Sequence, residues 1–268
     1  MASALIRGWV SGGLCEASEI VASDPHPDAC RRLQEWVPGV RIAATNPEAV
    51  DGAPVVLLAT KPQQIAAVAS GIRGSLAAGP LVLSVAAGVT LSSLQKWLGT
   101  SRVIRVMPNT PCLVGQGACA FSLGAGASEA DAELVMRMLS AVGWAVRVDE
   151  KHLDAVTGLS GSGPAYIYVL IEALSDGGVR MGLPRDVATA LAAHMVRGAA
   201  EMVLRESVHP AVLKDRVASP GGTTIAGLQA LEEHGFRASV MAAVVAATQR
   251  SDELRAGSES PSPASSKG

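Results

Sequence analysis

Two segments, PVVLLA at 54–59 and PLVLSVA at 80–86, constrain the fold of this chain more than any other feature. A strand that is apolar on both faces needs cover on both, and parallel α/β sheets provide it. Each segment is followed by residues that suit a helix, Gln63–Gly71 and Leu91–Leu98, and a further strand is expected at Val103–Met107 before PNTP. Upstream, residues 2–10 read as a helix ended by Gly12 and Gly13, and Glu19–Ser23 as a short strand stopped by Asp24, Pro25 and Pro27. A helix over Asp28–Trp36 and a strand at Val40–Ala43 complete that part. Downstream, a strand at Cys119–Leu123, a helix over 128–142 and a last strand at Ala145–Val148 are expected. Strands alternating with helices through the first 150 residues predict parallel βαβ units in an open α/β sheet, with ligands at the carboxyl ends of the strands.

After Lys151 no strand pattern appears and the periodicity is helical throughout. GLSGSGP at 158–164 puts Pro164 in the first turn of a helix reaching about Ser175, MGLP breaks the chain, and 185–206 form a long Ala-rich helix. His209-Pro210 marks another start, and helices are expected around 224–234 and 236–255. The domains are therefore expected at 1–150 and 151–255, with SESPSPASSKG ending a polar, low-complexity tail, 256–268, that should be disordered.

Bulk chemistry excludes several function classes. A formal charge of −2 without a basic run argues against nucleic-acid and anionic-membrane partners. Gly, Pro or charge interrupts each candidate for the about 20 apolar residues of a membrane helix. Cys15, Cys30, Cys112 and Cys119 lack the spacing of a zinc site and are too sparse for a disulfide scaffold, so they read as reduced thiols. The scattered histidines form neither a metal motif nor a hydrolytic triad, and no metal is expected.

KDRVASPGGTTIAGLQALEEHGF at 214–236 sets a rigid loop of small groups at the mouth of an amphipathic helix. Pro220 fixes one backbone angle, Gly221 and Gly222 permit a tight turn, and Thr223 and Thr224 can cap the helix. Free N–H groups there, backed by the helix dipole, suit a carboxylate or phosphate. A well-capped helix after a turn is the plainer reading of the same residues.

ATKP at 59–62, SVAAGV at 84–89, RVMPNTP at 105–111, DAVTGLSGSGPAY at 154–166, DGGVRMGLPR at 176–185 and VASPGGTT at 217–224 stand in the order of one family's motifs. The chain resembles pyrroline-5-carboxylate reductases over residues 1 to about 255. The resemblance implies a Rossmann-like dinucleotide-binding domain followed by an all-α domain through which two subunits interlock, with larger homo-oligomers in some members. It implies hydride transfer from NADPH or NADH to the C=N carbon of 1-pyrroline-5-carboxylate, giving proline. Members of the family open with an apolar strand and a glycine loop resembling G-x-G-x-x-A. Met1 and Ala2 align with the end of that loop, so the first strand and the pyrophosphate cradle are expected to be missing and the sheet to have a gap. Met1 is then an internal methionine of a longer product, or the chain is a truncated form that binds cofactor weakly.

On the substrate side the resemblance implies Ser219, Gly221, Gly222 and Thr223 around the carboxylate, Thr224 as the catalytic contact near the ring nitrogen, and Glu150 as an acid near the substrate. Without the resemblance Glu150 is an exposed charge in the run Asp149-Glu150-Lys151, and Thr223 or Thr224 a helix cap. Ser160, Gly161 and Ser162 are candidates for the substrate side or for a serine cap. On the cofactor side it implies Ala59, Thr60, Lys61 and Pro62 along the pyrophosphate and ribose, and Ala86, Ala87 and Gly88 by the nicotinamide ribose. Met107 and Asn109 then flank the nicotinamide and Asn46 lies near the adenine. Turn and cap roles are the alternatives for Asn46, Pro62 and Gly88. Asp24, at the end of the strand expected at Glu19–Ser23, the second in the family's order, can accept from ribose hydroxyls and repel a 2′-phosphate, which leans toward NADH; Arg31 and Arg32 could meet that phosphate instead, and a turn before Pro25 is the structural alternative. Two competing functions are a non-catalytic paralogue that joins reductase oligomers and a 3-hydroxyacid-type dehydrogenase, the latter disfavoured because Lys214 is the only lysine between 152 and 266. The cytoplasm is the default location, the mitochondrion the alternative if a transit segment precedes Met1.

Overall fold

Leu81 and Leu83 point into one apolar cluster and Val82 into another, so the strand that carries them is covered on both faces. The computed structural model describes residues 1–259. It divides into two units, Met1–Ser162 with the segment from Val245 onward, and Gly163–Val244.

In the first unit the order is α1 (Ala2–Ser11), β1 (Val21–Ala22), α2 (Pro27–Trp36), β2 (Arg41–Ile42), α3 (Asn46–Val50), β3 (Val55–Leu58) and α4 (Pro62–Ile72). Then come β4 (Leu81–Ser84), α5 (Leu91–Leu98), β5 (Val103–Met107), β6 (Gly117–Leu123), α6 (Glu129–Ser140), β7 (Gly143–Arg147) and α7 (Leu153–Val156). Leu5 and Trp9 of α1, Leu33 of α2 and Val135 of α6 pack on the face that receives Leu81 and Leu83. Ile65 of α4 and Leu94 of α5 pack on the face that receives Val82. Each such aliphatic side chain contributes about 1.5–3 kcal/mol by burial.

The strands form two sheets, β1-β2 and β3-β4-β5-β6-β7. No ladder joins β1 to β3 among the described residues, and Val55 and Leu57 of β3 are only half-buried. β3, β4 and β5 run parallel, but β5 and β6 pair antiparallel, which corrects the expectation of parallel units throughout. The reason lies in the connection. Between Met107 and Gly117 there is only a 3-10 turn, Thr110–Val114, too short for the crossover that a parallel neighbour requires. α6 supplies such a crossover, and β6 and β7 are parallel again. Gly143 stands at φ 150° opposite Gly117, where a Cβ would lie 2.2 Å from the Gly117 carbonyl oxygen, so the strands meet there only as glycines.

The second unit holds α8 (Gly163–Arg180), α9 (Arg185–Glu206), α10 (Pro210–Arg216) and α11 (Thr223–Glu233). α8 packs on α9 through small groups. A Cβ on Gly178 would lie 3.1 Å from Ala188 Cβ, and Ser175 Oγ meets Thr189 Oγ1 at 2.7 Å. α12 (Phe236–Glu259) begins in this unit and ends in the first. No proline interrupts it, so it continues through residues 256–259, which composition had placed in the disordered tail. The remainder of that expected tail, 260–268, lies outside the described residues.

Candidate functional site

Because β3, β4 and β5 are parallel, the segments that follow them leave the sheet at one edge. After β3 come Ala59, Thr60, Lys61 and Pro62, with Lys61 at the N-cap of α4 and Pro62 in its first turn. Thr60 Oγ1 is shielded from solvent and has no hydrogen-bond partner among the described residues. A buried hydroxyl left unpaired is costly, and one at the carboxyl end of a parallel strand is where an α/β sheet meets a polar ligand. Lys61 is exposed, and among the described residues no carboxylate pairs with it.

After β4, Ala86 and Gly88 are buried and Ala87 is half-buried. Ala86 N–H donates to Ser84 Oγ at 3.4 Å, and Gly88 turns at φ 70°. Thr90 Oγ1 then caps α5 by accepting from Ser93 N–H. After β5, Met107 packs against Gly161, where a Cβ would lie 2.5 Å from Met107 Cε. Asn109 is buried with both ends of its amide engaged: Nδ2 donates to the Ser160 carbonyl at 3.1 Å and Oδ1 accepts from Ala118 N–H at 2.9 Å. Residues Thr157–Gly161 form a π-helical turn, the kind of backbone irregularity that recurs at functional sites. Ser160 Oγ donates to the Val156 carbonyl at 3.1 Å, so it does not cap α8.

The adenine-side candidates sit in turns. Asp24 Oδ1 accepts from His26 N–H at 2.8 Å, a turn before Pro27, and the residue is exposed. Arg31 pairs with Asp28, and Arg32 with Ser3, Ala29 and Trp36 lines a surface hollow of about 100 Å³. Asn46 is not the cap of α3. Thr45 is, accepting from Glu48 N–H at 3.3 Å.

Glu150 departs from its reading as an exposed charge. Its Oε1 accepts from Leu91 N–H at 2.7 Å and from Arg105 Nη1 at 3.3 Å. Arg105 is 3% exposed, and its Nη2 reaches Asp154 Oδ1 at 3.5 Å. Asp154 in turn accepts from Ser251 Oγ at 2.8 Å and from Arg255 Nε at 3.0 Å. Sequence reasoning missed Arg105, Asp154, Ser251 and Arg255 as a group. One signal for it is present: an arginine inside the apolar strand VIRVM must find carboxylates elsewhere in the chain.

The second unit carries the other candidates. Gly221 stands at φ 67°, and Gly222 is the N-cap of α11 with no side-chain capping bond. Thr223 and Thr224 are therefore the first two helical residues, which corrects the expectation that either hydroxyl caps the helix. The glycine takes the extended cap conformation, φ −80° and ψ 176°, and the threonines follow it inside the helix. Among the described residues neither hydroxyl has a hydrogen-bond partner. Ser219 closes the turn, its carbonyl accepting from Gly222 N–H at 3.1 Å, and a Cβ on Gly222 would lie 2.3 Å from Ser219 Oγ. The N–H groups at such a helix start carry partial positive charge and have no acceptor within the helix.

Two buried thiols stand outside these groups. Cys112 and Cys119 are free with their sulfurs 3.6 Å apart; the hydrogen bond between them draws Cys112 down to about 7 and pushes Cys119 up. No cluster of residues that could hold a metal occurs among the described residues.

Comparison with known proteins fits this geometry. A family model described as pyrroline-5-carboxylate reductase dimerisation matches residues 150–254, and one described as NADP oxidoreductase, coenzyme F420-dependent, matches 1–88. A pyrroline-5-carboxylate reductase of Arabidopsis thaliana is 48% identical over 254 residues, 95% of this chain and 92% of its own length. That of Methanosarcina acetivorans is 44% identical over 256 residues, 95% of this chain and 94% of its own. The crystal structure of the Plasmodium falciparum pyrroline carboxylate reductase with NADP bound superposes with a TM-score of 0.85 at 30% identity, covering 94% of each chain. With the sheet, the helical domain and identity over nearly the whole length in agreement, the chain belongs to the pyrroline-5-carboxylate reductase family.

Proposed function

We propose that the chain reduces 1-pyrroline-5-carboxylate to proline, with the carboxylate held at the start of α11 and the ring nitrogen contacted by Thr224. The observation that carries this reading is the Gly221–Thr224 turn, where Gly222 as N-cap presents the first helical N–H groups together with two threonine hydroxyls that have no partner among the described residues. A nicotinamide nucleotide supplies the hydride when bound. The residues present fit it: Thr60 offers a sheltered hydroxyl with no partner among the described residues, Lys61 an exposed cation, and Gly88 a turn without a side chain after β4. What the protein adds is orientation and shelter. Ser219, Gly221, Gly222 and Thr223 fix the carboxylate, and the Thr224 hydroxyl, able to donate or accept, hydrogen-bonds the ring nitrogen as it takes a proton, with water as the relay because a threonine hydroxyl is too weak an acid to titrate. Met107 and Asn109 with Ala86 and Ala87 shape the nicotinamide side, and Asn46 and Asp24 the adenosine side. Glu150 is the acid near the substrate in this reading, and it also holds the start of α5.

The same family membership supports a homodimer or larger homo-oligomer built through the helices after Lys151. α9 buries only Ala188 and Ala192 within its own chain. Among the described residues α9 alone is long and apolar enough to cross a membrane by length and composition, yet it carries Arg197 and Glu201 inside. A second copy of the chain accounts for its apolar face without a bilayer. The four free thiols are consistent with a reducing compartment, the cytoplasm.

The test is direct. Oxidation of NADH or NADPH by the purified chain, with proline identified as the product, is the expected result. No proline with either nucleotide at saturating imine would overturn the reading.

A further inference from the structure

The turn at Gly88 is braced from the far end of the chain. A Cβ on Gly88 would come within 3.1 Å of Leu254 Cβ and 3.4 Å of Arg255 N, so the last turns of α12 lie directly against it. Those turns are pinned in place by Asp154, whose two carboxylate oxygens take Ser251 Oγ at 2.8 Å and Arg255 Nε at 3.0 Å. Three residues on, where α5 begins, Leu91 N–H is held at 2.7 Å by Glu150. Arg105 joins the two carboxylates from beneath. Residues 88–91 are therefore held at both ends by one network whose members lie at 105, 150–154 and 251–255.

Stability alone does not call for such a network, because apolar side chains of equal volume hold a fold together at least as well as buried ions. Charged groups with directional bonds instead fix one arrangement. We propose that Asp154 and Arg255 are positioning residues, clamping α12 against residues 88–91 so that the nucleotide meets a preformed turn. This rests on the reading of Ala86–Gly88 as part of the cofactor site. A turn already ordered spares the ligand the entropy of ordering it, and the effect appears in affinity.

The experiment uses the full chain with Arg255→Gln, paired with the milder Arg255→Lys, and with Asp154→Asn as the strongest variant. Hydrogen exchange needs no nucleotide. Amides of 88–91 are expected to exchange about 10-fold faster in Arg255→Gln, with 21–42 and 117–147 unchanged and Arg255→Lys closer to the parent. The Kd for NADH and NADPH is expected to weaken about 5- to 10-fold in parallel. Exchange at 88–91 that stays at the parent rate, or rises equally across the unit, overturns the clamp. Faster exchange confined to 88–91 with an unchanged Kd leaves the brace standing and overturns both the positioning role and the placement of the cofactor on this turn.

Discussion

In the first unit Arg105 is 3% exposed and its partner Asp154 lies inside with it, under strands whose aliphatic residues are covered on both faces. In Gly163–Val244 the covered side chains are Ala188, Ala192 and Ser175, while Leu191, Met195 and Leu204, the last 75% exposed, stand in solvent. The first unit has a core of its own and spends some of it on ions. The second has long helices with apolar faces that nothing in the same unit covers. The difference teaches where each can draw its stability: the α/β unit from its own chain, the helical unit from a further surface, and it is the helical part, residues 150–254, that matches a family model described as a dimerisation domain.

The sharpest way to break that comparison is Arg105→Met. It takes the buried cation from Glu150 and leaves Asp154 with Arg255 and Ser251, and the first unit should lose about 3–5 kcal/mol in urea unfolding followed by circular dichroism. A loss below about 1 kcal/mol would mean that the buried ions do not hold the unit together. On the helical side, Leu191→Asp with Leu204→Asp should weaken self-association at least about 100-fold, about 2.7 kcal/mol, in sedimentation velocity. A parent chain that sediments as a monomer at micromolar concentration would remove the idea that these faces await a partner.

A smaller effect tests the turn in the helical unit. Thr224→Ala should lower kcat/KM for the imine by about 10- to 100-fold and leave nucleotide Kd unchanged. Because Gly222 caps the helix, the Thr224 side chain can be removed without removing a capping bond, so Tm should hold. Full activity of the variant ends its assigned role.

Acid sensitivity probes the first unit again. Hydrogen bonds from Arg102, at 2.7 Å and 3.1 Å, lower the Asp131 carboxyl from 3.8 to about 2. A carboxyl whose folded pKa is depressed stabilises fully above its unfolded value. That stabilisation, about 1–2 kcal/mol after discounting for the exposed Arg102, is lost as pH falls from about 4 to about 2. Asp131→Asn should flatten the stability profile in that window, and an unchanged profile would place the acid response elsewhere. The smallest expected effect is cofactor choice. Arg31 is engaged by Asp28 and Asp24 is exposed, so kcat/KM should favour NADH by a few-fold, about 1 kcal/mol or less. A clear preference for NADPH would show that an exposed ion pair does not hold Arg31 back, as the weakness of such pairs allows.

Much of the framework was legible in the chain itself. The bounds expected for Leu91–Leu98, Val103–Met107 and 185–206 are those observed, because apolar periodicity, a threonine before Leu91 and glycine or proline at the edges act within one or two turns. The PGGT turn was also legible, since Gly221 is there for its backbone angle. α3 was not, because Asn46-Pro47 reads equally well as a loop.

What the sequence determined by itself is therefore local: the alternation that makes an α/β unit, the helical character after Lys151, and the glycine turn ahead of α11, all set by propensities of neighbouring residues. Only the tertiary structure decided the antiparallel return of β6, the cap at Gly222 rather than Thr223, and the joining of Arg105 to Glu150, Asp154, Ser251 and Arg255. The first follows from how far a short connection can reach. The last is a matter of desolvation: a buried charge requires partners, and which of the chain's carboxylates supply them depends on contacts between residues separated by 45 to 101 positions.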